Sequence, residues 1–330
     1  MYTPLHGSGN ILVRRVLDEI GVENVFVVPE QALPDGDFPT VKSPNPENSE
    51  AFTLAIEYAK KRNADIIFGT DPDSDRIGVV VRNADGKYIV LNGNQTGTIL
   101  CEYILRNMKQ KGLLPANAKV VKTIVTTEMV KAVSESYGAE LIDVLTGFKF
   151  IGEQIKLLED KGCPENFIFG LEESYGYLKG IYARDKDAVV AAMLVAEVAA
   201  ECKAKGITLY ERLMELYENY GYYLECLETK TLTGIDGRKQ IESIMDKFRT
   251  KTLPFDVKDV KDYSKGIDGL PKSDVLKFFL KDDGWFAVRP SGTEPKIKFY
   301  FGVASTSKEK AELLLDKLKN TVLEFAADLK

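Results

Sequence analysis

Three aspartates lie at alternate positions in the segment 71–76, whose sequence is DPDSDR. The segment falls between two apolar runs that the pattern predicts to be β-strands. Alternate side chains of an extended chain share a face, so Asp71, Asp73 and Asp75 are expected to point the same way. Carboxylates this close repel one another unless a cation lies between them, and hard oxygen ligands favour Mg²⁺. The segment therefore predicts a magnesium site, with a solvated acidic turn as the alternative.

A second polar loop, RPSGTEPK at 289–296, follows a predicted strand near the end of the chain. Its arginine and two hydroxyls are donors suited to phosphate, and its glycine lets backbone N–H groups turn inward. The residues concerned are Arg289, Ser291, Gly292 and Thr293. The loop predicts an anion site, but a tight turn between antiparallel strands explains it equally well.

A third loop, EESYG at 172–176, follows the apolar run 167–169. Polar groups at the carboxyl end of a strand match the ligand crevice of α/β sheets. Glu172 and Ser174 are therefore candidates to hydrogen-bond sugar hydroxyls. Paired glutamates also suit the first turn of a helix, so this loop alone leaves both interpretations open.

Composition excludes several classes of protein. Forty-four Lys and Arg against 50 Asp and Glu give a formal charge of −6, which provides no overall positive field for nucleic acid or an anionic membrane. The longest apolar run, 188–196, is too short to cross a bilayer. The N-terminal residues have no charged stretch followed by an apolar one, which favours a cytoplasmic protein. We expect no nucleic-acid or membrane partner.

The reactive side chains are few. The one histidine, His6, is too little for a Ser-His-Asp triad or a multi-histidine metal cage within these residues. The four cysteines are widely scattered, without the short paired spacing of a zinc site, and are expected to be free thiols. Chemistry here is expected to use carboxylates, lysines and arginines.

The hydrophobic pattern divides the chain into three parts. Residues 1–95 and 96–206 predict two successive α/β layered domains, and 207–330 predicts an α+β domain with an antiparallel sheet and two helices. Predicted strands are 24–28, 65–69, 77–81, 88–91, 119–125, 140–144, 166–170, 222–231, 275–280, 285–289 and 297–303. Predicted helices are 48–62 (capped by Asn48 or Ser49), 97–111, one from 127, 150–161, 186–205, 209–219, 238–251 and 308–325.

Taken in this order, the three loops resemble those of the α-D-phosphohexomutase family, which includes phosphoglucomutase and phosphomannomutase. The segment 71–76 resembles the metal loop of the family, 172–176 its sugar loop and 289–293 its phosphate loop. Two further segments match, TPLHGSG at 3–9 and TGFKF at 146–150, and the resemblance spans nearly the whole chain. It implies two mutase-type α/β domains with mixed sheets, followed by the α+β domain.

Two departures from the family pattern stand out. Family enzymes carry a Thr/Ser-x-Ser-His-Asn-Pro loop with a phosphorylated serine, and these 330 residues contain no such segment. The sequence is therefore expected to comprise family domains two, three and four, with the first strand of domain two truncated and the phosphoserine domain missing. The second departure is Leu171, where many members have glycine.

The resemblance also implies roles for the residues. The three aspartates would hold Mg²⁺ with Arg76 adding positive charge, Glu172 and Ser174 would bind sugar hydroxyls, and the loop from Arg289 to Thr293 would hold the phosphate that is not being transferred. Lys149 is a candidate for substrate contact or proton transfer, with an ordinary surface lysine as the alternative. Arg184 and Lys186 would extend the positive wall, with a charge cluster at a helix N-terminus as the alternative.

The implied reaction interconverts glucose 1-phosphate and glucose 6-phosphate through a bisphosphorylated sugar, with Mg²⁺ and glucose 1,6-bisphosphate as cofactors. Phosphopentomutase and phosphomannomutase are the nearest alternatives. Two others come from different classes: a haloacid-dehalogenase-type phosphatase phosphorylated on Asp71, and a phosphosugar-binding module without catalysis. Without the phosphoserine, the chain alone is expected to bind sugar phosphates weakly and to turn over almost nothing.

Overall fold

The computed structural model describes residues 1–292 and 294–327. The chain divides into two units, Met1–Leu216 and Tyr217–Lys330. The first unit contains two mixed β-sheets covered by helices, and the second contains one antiparallel sheet. These are the sheet types that the sequence and the family resemblance predicted, so the predicted fold class is confirmed.

The first sheet has the strand order β1-β2-β3-β4, in which β1 runs parallel to β2 and the other pairs are antiparallel. Its strands are β1 (Tyr2–Thr3), β2 (Ile66–Thr70), β3 (Ile77–Arg82) and β4 (Tyr88–Leu91). The valine run of β3 is buried, as suits β-branched side chains between packed layers. The predicted hairpin is confirmed: the Asn83 N–H donates to the Lys87 carbonyl, and Gly86 turns at a φ of 78°.

Two local predictions in this region are wrong. The segment 24–28 is not a strand: β1 is two residues long and offers it a single parallel bridge, Tyr2 to Val27. The helix predicted from residue 48 begins as a 3₁₀ turn, Ser49–Phe52, and Asn48 makes no side-chain cap. Helix α1 (Gly9–Glu19) was not predicted, and α2 (Thr53–Arg62) follows the 3₁₀ turn.

The second sheet has the order β6-β5-β7-β8, with three parallel strands and β8 antiparallel at the edge. Its strands are β5 (Lys119–Thr123), β6 (Glu140–Val144), β7 (Phe167–Glu172) and β8 (Gly176–Leu178). The accompanying helices are α3 (Gly93–Gln110), α4 (Met129–Tyr137), α5 (Lys149–Asp160), α6 (Ala188–Ala204) and α7 (Leu209–Tyr220). Every residue of β7 is buried, which explains its unbroken apolar run.

Backbone contacts join the two sheets of the first unit. The Ile77 N–H at the start of β3 donates to the Tyr175 carbonyl just before β8, at 3.1 Å. Beside it, Arg76 and Gly176 form an isolated antiparallel bridge. The loop that follows β2 and the loop that follows β7 therefore lie against each other.

The second unit is a five-stranded antiparallel sheet in the order β10-β11-β12-β13-β9. Its elements are β9 (Tyr222–Thr231), α8 (Gly234–Thr250), β10 (Val257–Asp262), β11 (Leu276–Leu280), β12 (Trp285–Pro290), β13 (Lys296–Ser305) and α9 (Lys308–Ala327). Aromatic side chains pack between sheet and helices: Phe248 of α8 contacts Phe278, Phe286 and Phe299. Strand β10 was missed because its sequence, VKDVKD, lacks a buried apolar face.

The search for a transmembrane segment was negative: within residues 1–292 and 294–327, no helix is long and apolar enough to span a membrane.

Replacing Gly93 with alanine should destabilise the first unit. A Cβ there would lie 2.0 Å from the Glu173 carbonyl oxygen, which is backbone and cannot rotate away. Overpacking of this kind costs about 1–3 kcal/mol of unfolding free energy. Urea unfolding would measure the change, with Gly36→Ala as control because a Cβ at Gly36 meets nothing within 4 Å. Equal stability of the two variants would contradict the close approach.

Candidate functional site

The side chains of Asp71, Asp73 and Asp75 converge, each placing one carboxylate oxygen within 4.8 Å of the others. The reason for the convergence differs from the prediction. The segment is a turn rather than an extended chain, because Ser74 adopts a left-handed φ of 60°. Asp71 Oδ1 closes the turn by accepting the N–H groups of Asp75 at 3.1 Å and Arg76 at 2.9 Å.

Burial and the repulsion between neighbouring carboxylates disfavour ionisation of Asp71 in this turn. Burial raises the pKa of Asp71 to about 7; the Arg76 N–H acts against the rise, and the charges of Asp75 and Asp73 add to it. Among the described residues, the buried Oδ1 of Asp75 has no hydrogen-bond partner. An all-oxygen set with an unsatisfied carboxylate fits a hard divalent cation such as Mg²⁺.

Arg76 lies beside the acidic turn, but its hydrogen bond is to Glu47, which lies outside the turn. Its Nη1 donates to Glu47 Oε1 at 2.6 Å, while its Nε lies 3.9 Å from Asp71 and 3.8 Å from Asp75. Sequence reasoning missed Glu47, which lies 29 positions away from Arg76 and belongs to no local pattern.

The loop after β7 connects two strands, so its interpretation as a helix start is wrong. Glu172 ends β7 and Gly176 begins β8, with Tyr175 between them at a left-handed φ of 68°. The Glu172 side chain is 6% exposed, and burial followed by the charge of Glu173 raises its pKa to about 7, while Lys186, Ser174 and Arg76 act in the opposite direction.

Leu171, the departure from the family pattern, is accommodated by a glycine. Its side chain packs against Gly97 of α3, where a Cβ would lie 2.6 Å from the Leu171 Cδ1 atom. Leu171 is fully buried and keeps the β7–β8 pairing opposite Tyr177. The strand that leads to Glu172 therefore keeps its pairing with β8 through Leu171, while its register against β5 shifts between Phe167 and Phe169.

The charged residues of the segment 183–187 make two kinds of contact. Lys186 contacts the acidic turn, whereas Arg184 and Asp187 contact the surrounding fold. Lys186 Nζ lies 2.9 Å from Asp75 Oδ2, and its aliphatic stem crosses Gly176, where a Cβ would meet it at 2.3 Å. Asp187 caps α6 by accepting the N–H groups of two helical residues. Arg184 turns its guanidinium to Glu159 and to the carbonyls of Ile181 and Ala183.

A cavity of about 520 Å³ opens beside the acidic turn. It is lined by Ser8, Leu12, Asp73, Ser74, Asp75, Val189 and the segment 183–187. Lys149 does not line it: this exposed lysine starts α5, with its ammonium 4.9 Å from the Phe150 ring. The neighbouring Phe148 ring lies 5.7 Å from the Lys186 ammonium, so the loop that carries Lys149 lies near Lys186.

The third predicted loop lies in the second unit, between β12 and β13. Arg289 is half-buried near the end of β12, and Ser291 and Gly292 follow in the turn. The turn is closed by hydrogen bonds from Ser291 N–H to the Lys296 carbonyl and from Glu294 N–H to Ser291 Oγ. This geometry fits a tight turn and leaves the predicted phosphate contact as a prediction. Thr293 lies outside the described residues.

The fold and the site define a class. Two mixed β-sheets that meet at an acidic turn, followed by an antiparallel α+β unit, make this a multidomain α/β protein with a candidate divalent-cation site. Three family descriptions match in order: "Phosphoglucomutase/phosphomannomutase, alpha/beta/alpha domain II" over residues 1–86, "alpha/beta/alpha domain III" over 92–220, and "C-terminal domain" over 239–319. The chain belongs to the phosphoglucomutase/phosphomannomutase family, also called the α-D-phosphohexomutases.

Individual relatives agree with this assignment. A phosphoglucomutase of Staphylococcus aureus (strain MRSA252) is 38% identical over 316 residues, covering 91% of this chain and 56% of the relative. The chain thus spans about half the length of the curated relatives it matches. The solved open form of Paramecium parafusin, a phosphoglucomutase, shares the fold with a TM-score of 0.69 at 19% identity, covering 99% of this chain and 57% of that one.

An Aspergillus fumigatus N-acetylphosphoglucosamine mutase, solved with GlcNAc-6P and magnesium, gives a TM-score of 0.53 at 14% identity. The match covers 99% of this chain and 61% of that one. At this identity the likeness shows the fold alone.

Removing one carboxylate from the acidic turn should weaken divalent-cation binding. We expect Asp75→Asn to lower the affinity for Mg²⁺ by at least about tenfold, because a charged oxygen ligand is lost. Titration calorimetry with Mg²⁺ would measure it. Asp85→Asn, an exposed change in the β3–β4 turn, is the control and should bind as the wild type does. Equal affinities in all three proteins would contradict a cation site at this turn.

The raised pKa of Glu172 predicts a pH-dependent gain in stability for Glu172→Gln. A carboxyl whose folded pKa exceeds its unfolded value loses stability as pH rises from about 4.5 to about 7. The glutamine variant avoids this loss, so its advantage over the wild type should be near zero at pH 4 and reach about 1–3 kcal/mol at pH 8.

Urea unfolding at the two pH values would measure the difference, in buffer without divalent cations. The exposed change Glu135→Gln on α4 serves as control and should shift little between them. An advantage for Glu172→Gln that is the same at pH 4 and pH 8 would refute the buried-charge account.

Proposed function

We propose that this chain supplies the metal, sugar and phosphate loops of a phosphohexomutase that interconverts glucose 1-phosphate and glucose 6-phosphate. The observation that carries the proposal is the junction of the first unit, where the Ile77 N–H bonds to the Tyr175 carbonyl. At this junction the turn with the three aspartates lies against the loop that begins at the buried carboxylate of Glu172. A phosphorylated sugar needs both functions within the length of one molecule.

In this proposal Asp71, Asp73 and Asp75 hold Mg²⁺. The bound ion would neutralise charge that develops on the transferring phosphoryl oxygens. The A. fumigatus relative was solved with magnesium, which supports the choice of ion. Arg76 adds a fixed positive charge at the edge of the turn, held in place by Glu47.

The sugar would be bound by its hydroxyls. Glu172 accepts hydrogen bonds from them once it is ionised, and Ser174 donates or accepts beside it. Lys186 contributes positive charge between the two loops, since its ammonium reaches Asp75 while its stem lies against Gly176. Arg184 is assigned a supporting role on the cavity wall because its guanidinium is bonded to Glu159. Lys149 is assigned to substrate contact on the family resemblance alone.

The second unit would hold the phosphate that is not being transferred. Arg289 provides a bidentate cation, and Ser291, Gly292 and Thr293 provide hydroxyl and backbone donors, as the family resemblance implies. Phosphoryl transfer depends mainly on positioning and charge stabilisation, so one fixed phosphate allows the other end of the sugar to react.

The phosphoserine is assigned to residues other than these 330, because they contain no Thr/Ser-x-Ser-His-Asn-Pro segment. Glucose 1,6-bisphosphate would be the intermediate that returns a phosphate to that serine. The curated phosphoglucomutase relatives favour glucose over mannose or a pentose as the sugar. Family membership and the antiparallel pairing of β2 with β3 favour a mutase over a haloacid-dehalogenase-type phosphatase.

A coupled mutase assay with glucose 1-phosphate, Mg²⁺ and a trace of glucose 1,6-bisphosphate tests the proposal. We expect turnover when the chain is joined to the N-terminal part of the S. aureus relative, and at least about 10³-fold less from the 330 residues alone, since the nucleophile is then missing. Mannose 1-phosphate and ribose 1-phosphate as substrates would test the sugar preference.

Inactivity of the joined protein towards all three sugars would overturn the mutase and favour a phosphosugar-binding module. Comparable turnover by the 330 residues alone would instead overturn the assignment of the nucleophile to residues other than these.

A further inference from the structure

The two adjacent glutamates of the sugar loop point to different surroundings. Glu172 lies near Lys186 and Arg76, whereas the carboxylate of Glu173 accepts two hydroxyl hydrogen bonds at one oxygen. The donors are Thr123 Oγ1 at 2.9 Å and Thr126 Oγ1 at 3.1 Å. Both threonines belong to the end of β5 and the turn that follows it. The sugar loop is therefore tied to the neighbouring strand by Glu173.

A fully buried lysine, Lys122, hydrogen-bonds to the backbone of the turn that carries these threonines. Lys122 Nζ reaches the Thr126 carbonyl at 3.2 Å and the Thr123 carbonyl at 3.4 Å. The same ammonium pairs with Asp143 of β6 at 2.8 Å and with Glu128 at 3.4 Å. Burial acts to lower the pKa of Lys122, but the two carboxylates outweigh it and raise the pKa, so the lysine stays charged.

The backbone of the sugar loop also packs closely against α3. The Glu173 carbonyl oxygen approaches Gly93 so closely that a Cβ there would lie 2.0 Å from it. The backbone of residue 173 is thus confined by α3, and its side chain is bound by the β5 turn. The residues on either side of it, Glu172 and Ser174, are the proposed sugar ligands.

We infer that Glu173 and Thr126 are positioning residues that fix the sugar loop so that Glu172 and Ser174 present their side chains to the sugar. The chain of contacts runs from β6 through Lys122 to the β5 turn and then to Glu173. Neither Glu173 nor Thr126 contacts the ligand in this scheme. The inference rests on the proposed function, because it assigns the sugar to this loop.

Removal of either partner should weaken sugar binding. We expect Glu173→Ala and Thr126→Val each to lower the affinity for glucose 1-phosphate by about tenfold, the usual effect of losing a hydrogen bond to a charged group. Titration calorimetry on the 330-residue chain with Mg²⁺ present would measure this. The Oγ1 atoms of Thr123 and Thr126 lie 2.8 Å apart, so in Glu173→Ala one of these hydroxyls can donate to the other.

Three further measurements separate positioning from a general structural effect. Thr126→Ser keeps the hydroxyl and should restore wild-type affinity. The affinity for Mg²⁺ alone should stay within about twofold of wild type in every variant, since the aspartate turn is closed by its own N–H groups. The double variant Glu173→Ala/Thr126→Val should bind no more weakly than Glu173→Ala, because that change alone already removes the contact to Thr126. Glu135→Ala on α4 is the surface control.

The outcomes are distinguishable. Failure of the wild-type chain to bind glucose 1-phosphate would overturn the proposed function and this inference with it. Binding by the wild type with unchanged affinity in Glu173→Ala would overturn the inference alone. Should Thr126→Val not fold, Glu173→Ala, in which the two threonine hydroxyls can bond each other, decides the question. Additive losses in the double variant would also count against a shared positioning contact.

Discussion

The hydrogen bond from the Ile77 N–H to the Tyr175 carbonyl sets the acidic turn and the sugar loop against each other, and the candidate site depends on that constraint. It joins two sheets that are otherwise built from separate stretches of sequence, residues 2–91 and 119–178. One partner, Tyr175, is itself in the left-handed region, and Ser74, three residues before Ile77, is in it too. Such conformations cost of order 1–3 kcal/mol each and persist because the surrounding structure holds them. Lys186, which reaches Asp75 while its stem lies against Gly176, and the Ala188 N–H, which donates to the Ser74 carbonyl, strengthen this junction.

A second constraint is electrostatic. Asp71 and Glu172 are both buried, and burial disfavours the charge of each. The cations nearby, Arg76 and Lys186, are largely engaged by Glu47 and Asp75. The junction therefore holds more negative charge than its own cations balance at neutral pH. A divalent cation would relieve this imbalance, and an arrangement that is costly without its ligand is typical of a binding site.

Sequence reasoning predicted most of the regular elements because their signals are local. The valine run of β3 and the apolar run of β7 indicate buried strands, and the Asn-Ala-Asp-Gly segment at 83–86 indicates a hairpin. It could not predict β10, because the sequence VKDVKD has no apolar face. It also could not predict α1, because the exposed Ile11 and Leu12 interrupt the separation of apolar and polar faces along this helix. Whether 24–28 forms a strand depends on the length of its neighbour β1, which a local pattern at 24–28 does not contain.

The same division holds for the candidate site. The three aspartates could be found from their spacing, although the backbone brings them together by a turn rather than by extension. The partners that hold the site, such as Glu47 for Arg76 and Thr126 for Glu173, lie 29 and 47 positions away. No local pattern encodes such pairs, because they arise from how sheets and helices pack. The roles of Lys149 and of the 289–293 loop remain predictions.

The contact between Leu171 and Gly97 limits which side chains fit between β7 and α3. One position holds a large side chain and the other holds none, so together they conserve the volume between β7 and α3. Without the Leu171 side chain, a Cβ at Gly97 would still lie 3.1 Å from the Tyr177 Cε1 atom, so that ring would have to shift by a few tenths of an ångström. Three residues, Gly97, Leu171 and Tyr177, therefore share this space, and a change in one alters the packing of the others. A chimera that exchanged β7 without α3 would inherit either a void or a clash at this point.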